Sequence, residues 1–451
     1  MTSGVARPSW RRPRAGHRAS IRRENQDRLP VMRRNLGARA LLGCAILAAC
    51  SSGHRIPGPD PDAGNDDGGP SAATRWAAVS AGGLHSIGIQ SDGSLWGWGN
   101  AVFGQVGKPC VSVAGCDQIE HLPVHLGTRT DWRVVSAGEE HSVALASDGT
   151  VWTWGGSGVG EIGRVCADFA CQSVPGMVGQ DRDWVAISAG GRATFALKPD
   201  GSLWTWGSKN MCPSNCADPD AYNPVPVRVD AANDWALVAA GGQHVLAVKK
   251  DGSLWAWGRN YAGQLGDGKR DPDFLTPGTA VPERVGTDTD WVAVAAGATH
   301  SLGLKADGTL WYWGTYDFLN SASLQFALAP TRLGAERDWK IIAAGSRFGL
   351  AIKTDGSLWA WGNPFAGALG NGCGTCDGES QMVPARIGMD SDWVAISGDR
   401  TDSFGDLDAH ALGLRAVTAS ARTAWGWGLN RTCQLGVGAQ PFPFASLPRP
   451  L

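Results

Sequence analysis

Residues 234–258 read DWALVAAGGQHVLAVKKDGSLWAWG, and this stretch decides the fold. Residues 236–240 and 244–249 are apolar runs of strand length, and Asp251-Gly252 is a tight hairpin pair between the second run and a third, residues 253–258. Side chains two apart on a strand project from the same face, so Trp255 and Trp257 point into one layer. Pro226-Val-Arg-Val, just ahead of Asp234-Trp235, has the character of a fourth strand. A four-stranded sheet cannot bury two indoles by itself. Similar sheets on either side must cover them, which calls for radial closure.

The same stretch recurs through the chain. Its first Trp falls at Trp76, Trp132, Trp184, Trp235, Trp291, Trp339 and Trp393, at spacings of 56, 52, 51, 56, 48 and 54 residues. That period belongs to propeller blades and is too long for the common helical repeats. The Trp-x-Trp pairs follow in step at Trp96/Trp98, Trp152/Trp154, Trp204/Trp206, Trp255/Trp257, Trp311/Trp313, Trp359/Trp361 and Trp425/Trp427, so that of 22 Trp only Trp10 lies outside the pattern. The expectation is an all-β, seven-bladed β-propeller of four-stranded blades over residues 76–451. The final Leu447-Pro-Arg-Pro-Leu451 looks like the strand ahead of each Asp-Trp, and is expected to complete the blade that begins at Trp76.

Ala240-Gly-Gly-Gln-His244, Asp251-Gly-Ser-Leu-Trp-Ala-Trp-Gly and Asn260-Tyr-Ala-Gly-Gln-Leu-Gly together strongly resemble the regulator of chromosome condensation repeat family. The resemblance covers residues 76–451. It implies a seven-bladed propeller that binds a protein on one face, and it does not imply one activity. Similar members include a nuclear nucleotide-exchange factor for a small GTPase, ubiquitin-ligase modules and secreted bacterial inhibitors of β-lactamase.

Ahead of the repeats, residues 32–50 combine a basic start at Arg33-Arg34, a ten-residue apolar run from Ala40 to Ala49 and small residues before Cys50. These are the parts of a secretory signal, and the run is well short of the ~20 residues that span a bilayer as a helix. Leu47-Ala-Ala-Cys50 resembles the bacterial lipobox, which makes Cys50 the expected lipidation site and the new N-terminus. Residues 1–31 read as a mis-assigned start before Met32. Residues 51–75 are rich in Gly, Ser, Pro and Asp with almost no large apolar side chain, and read as a disordered linker. The expected location is the outer membrane or cell surface, with the periplasmic face as the alternative.

Residues 1–50 hold 11 of the 40 Lys and Arg and 2 of the 42 Asp and Glu, which leaves 29 bases against 40 acids in the rest, net −11. Such a surface disfavours binding to a phosphate backbone, where bases must replace counterions, so nucleic acid is not an expected partner. Cys110/Cys116, Cys166/Cys171, Cys212/Cys216 and Cys373/Cys376 each lie in the loop after a Trp-x-Trp-Gly strand. In an oxidising compartment they read as local disulfides that stiffen exposed loops, a zinc knuckle at Cys373/Cys376 being the rival. Cys433 has no local partner.

His85, His141, His244 and His300 share one repeat position, but Arg192-Ala-Thr and Arg347-Phe break the ring, so each is expected to bond a backbone carbonyl rather than a metal. Repeat seven carries an eight-residue insertion, and Asp399, Arg400, Asp402, Phe404, Asp406 and Asp408 form a candidate binding loop. No cofactor is expected and no catalytic residue is assigned. The Asp-Gly turns differ from sialidase Asp boxes, in which one residue separates the two, and Tyr222, Tyr261, Tyr312 and Tyr316 sit in no nucleophile motif. The function that follows is a non-enzymatic, lipid-anchored, monomeric scaffold presenting its loops to a protein. A carbohydrate-binding surface, with Trp faces stacked on sugars, is the first alternative, and a sialidase-like glycoside hydrolase is the second.

Overall fold

The computed structural model describes residues 75–110, 119–208, 222–273, 276, 278–315, 326–372, 381–399, 409–418, 421–437 and 444–451. They form seven four-stranded antiparallel sheets, each with its strands in chain order. Blade one is β1 (Trp76–Ala81), β2 (His85–Gln90), β3 (Leu95–Asn100) and β4 (Ile119–His125); blade two is β5 (Trp132–Ala137), β6 (His141–Ala146), β7 (Val151–Gly155) and β8 (Gly176–Met177). Blade three is β9 (Ala186–Ala189), β10 (Ala193–Leu197), β11 (Leu203–Ser208) and β12 (Tyr222–Arg228); blade four is β13 (Trp235–Ala240), β14 (His244–Lys249), β15 (Leu254–Gly258) and β16 (Thr279–Val285). Blade five is β17 (Trp291–Ala296), β18 (His300–Lys305), β19 (Leu310–Gly314) and β20 (Ala327–Arg332); blade six is β21 (Trp339–Ala344), β22 (Phe348–Lys353), β23 (Leu358–Gly362) and β24 (Gln381–Ile387). Blade seven is β25 (Trp393–Gly398), β26 (His410–Ala416), β27 (Arg422–Leu429) and β28 (Phe444–Pro450). First strands of successive blades lie against one another all the way round, β25 against β1 included, so the first strand of every blade is innermost.

The indoles explain why the sheets close on themselves. Trp98, Trp154, Trp206, Trp257, Trp313, Trp361 and Trp427, the second of each pair, have no exposed surface. Each fills the layer between its own blade and the one before. Between blades three and four, for example, Trp257 and Trp235 pack with Phe195, Leu203 and Val238, and half-buried Trp255 closes the rim. The first Trp of the repeat completes a triad, Trp235 lying 5.8 Å from Trp255 and 6.0 Å from Trp257. Seven such layers, one per interface, replace a single central core.

The expected role of the last strand needs correction. β28 pairs with β27 and completes blade seven, while blade one is complete in β1 to β4. No strand is shared across the seam. The Pro-x-Arg-Val segment pairs with the Trp-x-Trp strand that precedes it, so every blade is one continuous stretch of chain. Closure rests on side chains instead: Trp76, Val79 and Trp98 pack with Leu412, Leu414 and Ala424. The Ala81 amide donates to Ser397 Oγ at 3.0 Å, and the Trp98 indole N–H donates to the Gln434 carbonyl at 2.9 Å.

Antiparallel order gives the ring two unlike faces. One, the turn face, carries the Asp-Gly hairpins and the links between blades. The other, the loop face, carries the links between first and second strands and the long loops between third and fourth. Six of the seven outer strands are guarded against edge pairing by a proline, Pro123, Pro226, Pro282, Pro330, Pro384 and Pro448, which lacks an amide donor.

Candidate functional site

Side chains on the turn face are largely occupied in tying the strands of each blade to one another. In blade four, Asp251 Oδ1 accepts from the Ser253 amide and hydroxyl at 2.9 and 2.6 Å, and Ser253 Oγ in turn accepts from the Trp255 indole at 2.9 Å. Gly252 turns this hairpin at φ +82°, and a Cβ there would lie 2.1 Å from the Thr289 carbonyl oxygen. Only glycine fits. Lys249 Nζ sits 4.7 and 4.6 Å from the Trp235 and Trp255 rings and pairs with Asp234 at 3.0 Å, which gives the Asp-Trp dipeptide its purpose. Lys198, Lys305, Lys353 and Arg415 repeat the arrangement, and in blade two Arg129 reaches over Trp132 and Trp152. Blade one has Arg75 and Gln90 where blades three to seven have the acid and the base, and the His125 ring lies 5.1 Å from Trp96 instead. Every described Trp is buried or half-buried. Six of the seven outer indoles carry a cation over the ring, so exposed Trp platforms for stacking sugars are absent among the described residues.

On the loop face a ladder runs from blade to blade. His85 Nε2 meets Ser142 Oγ at 2.8 Å, His141 meets Thr194 Oγ1 at 2.9 Å, His244 meets Ser301 Oγ at 2.8 Å and His410 meets Ser86 Oγ at 3.1 Å. These imidazoles therefore bond a hydroxyl of the next blade first, and not the expected carbonyl. The hydroxyl passes the bond on: Ser301 Oγ donates to the Gln264 carbonyl at 2.7 Å, and the same oxygen accepts from the Trp313 indole at 2.9 Å. Ala193 and Phe348 replace the imidazole in blades three and six, and the next blades then carry Val245 and Ala411 where the hydroxyl would be. At these two interfaces imidazole and hydroxyl are lost together, which spares a buried polar atom the loss of its partner, whereas blade five keeps His300 although blade six has Gly349 where the hydroxyl would be. Burial pushes His85, His244, His300 and His410 down to about 3.

Beyond the ladder the repeats diverge, and this variable rim is the candidate site. The residue ahead of the ladder position is Leu84, Glu140, Arg192, Gln243, Thr299, Arg347 and Ala409 in turn. Cys166 and Cys171 form a disulfide in the long loop of blade two, around the short helix α1 (Phe169–Gln172). Half-buried Arg164 holds that loop: its guanidinium donates to the Thr153, Cys171 and Val174 carbonyls at 3.0, 2.8 and 3.0 Å, where an edge strand would otherwise pair. Cys110 is disulfide-bonded, and its amide donates to Ser173 Oγ of blade two at 3.0 Å. Cys50, Cys116, Cys212, Cys216, Cys373 and Cys376 lie outside the described residues.

Of the candidate loop in blade seven, Asp399 alone is described, while Arg400, Asp402, Phe404, Asp406 and Asp408 are not. Asp399 is fully buried rather than displayed in a loop. Its carboxylate accepts from the Ser346 amide at 3.1 Å and from the Ser346 hydroxyl, and it ties blade six to blade seven. Elsewhere a backbone carbonyl does this, as where the Gly242 amide donates to Gly297. Cys433 is a buried free thiol whose Sγ lies 2.9 Å from His121 Nδ1, at a position where other repeats have a left-handed glycine. Glu161 stands where Gln105, Gln264 and Gln434 stand in other blades, its carboxylate accepting from the Val159 amide at 2.9 Å. Burial raises it to about 7, against the pull of Arg192. Among the described residues no three His, Cys, Asp or Glu side chains converge as a metal site. Tyr222 is exposed and Tyr261 buried, in separate blades.

A closed ring with repetitive packing on one face and a variable rim on the other defines a propeller scaffold. Residues 62–404 match the RCC1-like domain, and the chain belongs to that family. It is 32% identical over 246 residues to the mitochondrial RCC1 domain-containing protein RUG3 of Arabidopsis thaliana, covering 52% of this chain and 53% of that protein. It is 30% identical over 197 residues to the Arabidopsis ultraviolet-B receptor UVR8, covering 42% and 43%. The chain thus spans about half the length of these relatives. Yeast RCC1 (Prp20) in complex with Kap60 superposes with a TM-score of 0.65 at 18% identity, over 88% of this chain and 90% of that one. Prp20p of Saccharomyces cerevisiae, described with its binding to Gsp1p and histones, gives 0.60 at 22%, over 72% and 80%. These likenesses carry the fold.

Proposed function

We propose that this chain is an exported scaffold, lipid-anchored through Cys50, whose loop face binds a protein partner without chemistry of its own. The observation that carries the reading is the contrast between faces. Turn-face side chains recur blade after blade and are tied into the packing, whereas the loop face varies in length and in the residues at its rim. Positions that the repeat does not dictate are free to be specific. The disulfide at Cys166–Cys171 and the Arg164 staple favour a loop held in one shape, which lowers the entropy lost on binding. Prp20p binds Gsp1p and histones, which supports a protein as the partner class. The signal-like residues 32–50 and the paired cysteines support an oxidising compartment at the cell envelope.

The test is affinity capture from the producing cell's envelope with the full chain, beside a variant in which residues 400–408 are replaced by a short Gly-Ser link. A partner kept by the turn-face variant Arg228→Ala and weakened at least tenfold by Glu140→Arg/Arg192→Glu or by the loop replacement is expected. Loss with Arg228→Ala alone would place the interface on the wrong face.

A further inference from the structure

In the long loop of blade two a disulfide is set against a cation that has no acid of its own. Arg164 follows Gly163 at the position held by Lys108, Asp267, Asn371 and Val437 in other blades, so the repeat does not dictate it. Burial lowers it from the usual guanidinium range, and no carboxylate pairs with it among the described residues. Nε and Nη2 are spent on backbone carbonyls, the Thr153 oxygen lying 3.2 Å from Nε. Nη1 donates to sulfur, at 2.9 Å from Cys166 Sγ and 3.0 Å from Cys171 Sγ. A disulfide sulfur is a weak acceptor for a buried cation, whereas a thiolate is a charged one.

The outer strand makes room for this arrangement. Gly176, opposite Thr153 on β8, stands where Val124, Val227, Glu283, Thr331, Ala385 and Arg449 stand in the other blades. Its φ is not left-handed, so no turn calls for glycine there. A Cβ would lie 2.5 Å from Arg164 Cζ and 2.7 Å from Nη1. The glycine supplies space for the guanidinium. Cys166 and Cys171 are half-buried, and Val165 and Ala167 on either side of Cys166 are exposed, whereas Cys110, bridged in blade one, is 6% exposed. The other charged groups nearby are directed elsewhere. Asp168 is exposed and accepts from the Cys171 amide at 2.8 Å, Glu161 is bound to the Val159 amide, and Lys108 pairs with Glu120 at 2.7 Å.

We propose that Cys166–Cys171 is an exchangeable disulfide, a covalent modification site where an external thiol opens the bridge and Arg164 Nη1 receives the released thiolate. The thiolate of the external thiol attacks one sulfur, forms a mixed disulfide with it and expels the other, which Nη1 reaches whichever of the two it is. A second external thiolate attacks the external sulfur of the mixed disulfide. The two external sulfurs leave as one disulfide, having given up two electrons. Cys166 and Cys171 remain as a thiol and a thiolate, and the other proton goes to solvent. A neighbouring cation makes a thiol more acidic, and the more acidic thiol is the better leaving group. The carbonyl bonds of Arg164 do not involve the bridge, so the loop keeps them when the sulfurs part. The exchange is stoichiometric, one disulfide per chain, and adds to the binding reading a reversible covalent step without turnover. It is independent of the lipid at Cys50.

The test uses the full chain with its bridges formed. It is equilibrated at about pH 7.5 in buffers of reduced and oxidised glutathione, quenched by alkylation and mapped by mass spectrometry. A thiolate two units more acidic than the ordinary thiol, at about 8.5, favours the reduced form about tenfold at that pH. Arg164→Gln is therefore expected to need about tenfold more reducing buffer for half-reduction of Cys166/Cys171, with Cys110 still bridged over that range. In the reduced chain, the pH midpoint for alkylation of the more reactive of the two cysteines is expected about two units below 8.5, returning to about 8.5 in Arg164→Gln. Gly176→Val, which displaces the guanidinium without removing it, should act in the same way, and Arg164→Lys should keep at least half of the lowering. A merely structural arginine would leave the midpoint at about 8.5 in the parent chain as well as in the variants. Midpoints at or above about 8 for both cysteines of the parent chain overturn the proposal. So does reduction of Cys166/Cys171 that is equal or easier in Arg164→Gln, and so does opening of the Cys110 bridge in step with theirs, which would make the event unfolding.

Discussion

His244 and Ser301 show how closely single residues are matched across an interface. Removing only the hydroxyl, Ser301→Ala, leaves the His244 Nε2 without its partner at 2.8 Å and should cost about 1–2 kcal/mol. His244→Phe with Ser301→Ala copies the Phe348/Ala411 pair already present between blades six and seven, and should recover at least half of that loss; a double-mutant cycle by urea unfolding reads the coupling. The ladder also sets an acid limit. An unfolded histidine takes up a proton near pH 6.5, which the folded sites at about 3 refuse, so stability present above pH 6.5 is lost as pH falls toward 3. Glu161 acts with the opposite sign. Raised to about 7 from 4.5, it stabilises the fold below pH 4.5, and that contribution is lost as pH rises through 7. Glu161→Gln restores the residue other blades use, and should raise stability by about 2–3 kcal/mol at pH 8 with little change at pH 4.5, measured as the shift in urea midpoint. No sequence signal short of aligning the Gln positions separates this buried glutamate from the solvated acids around it.

Whole strands and loops were legible in the sequence wherever local chemistry is self-contained. The Asp-Gly hairpins, the paired indoles in one layer and the cysteine loops all follow from neighbours in the chain, and the structure places the described ones as read. What escaped was set between distant strands of one blade: in blades three to seven the cations over the tryptophans come from the end of the second strand, their aspartates from the link before the first. Recurrence of Lys two residues ahead of Asp-Gly, at Lys198, Lys249, Lys305 and Lys353 in step with Asp-Trp, was the available signal. The loop of blade two adds a case in which a side chain does the work of a strand. β8 is only two residues long, and Arg164 satisfies three carbonyls beside it. A six-residue disulfide ring contributes roughly 2 kcal/mol by restricting the unfolded chain. Arg164→Ala, which strips partners from the native loop, should therefore loosen it more than Cys166→Ser/Cys171→Ser does. The measurement is the initial rate of chymotrypsin cleavage after Phe169, expected to rise about tenfold or more in the arginine variant and less in the serine pair; the reverse order would assign the loop's shape to the disulfide.

At the scale of the whole ring, the absence of a shared strand makes the seam between blades seven and one chemically like the other six interfaces. Trp98 bonds the Gln434 carbonyl across the seam at 2.9 Å, as Trp154 bonds Gln105 and Trp313 bonds Gln264 at the same distance elsewhere. The repeat pattern misled at this point because a fourth strand lying between two Asp-Trp signals can be assigned to either neighbour, and only its pairing decides. A circular permutant tests the equivalence directly. The natural links run from the end of a fourth strand to the next Trp, as from His125 to Trp132 or from Val285 to Trp291, over the turn face. A Gly-Ser link of about six residues from Leu451 to Arg75, with new ends opened between Gly286 and Asp288 and the segment before Arg75 removed, reproduces that step. The permutant is expected to fold with native near-ultraviolet dichroism from its indoles and a thermal midpoint within about 5 °C of the parent ring. A much larger fall would mean that the original seam carries more of the closure than its residues imply, and that the seven interfaces are not interchangeable.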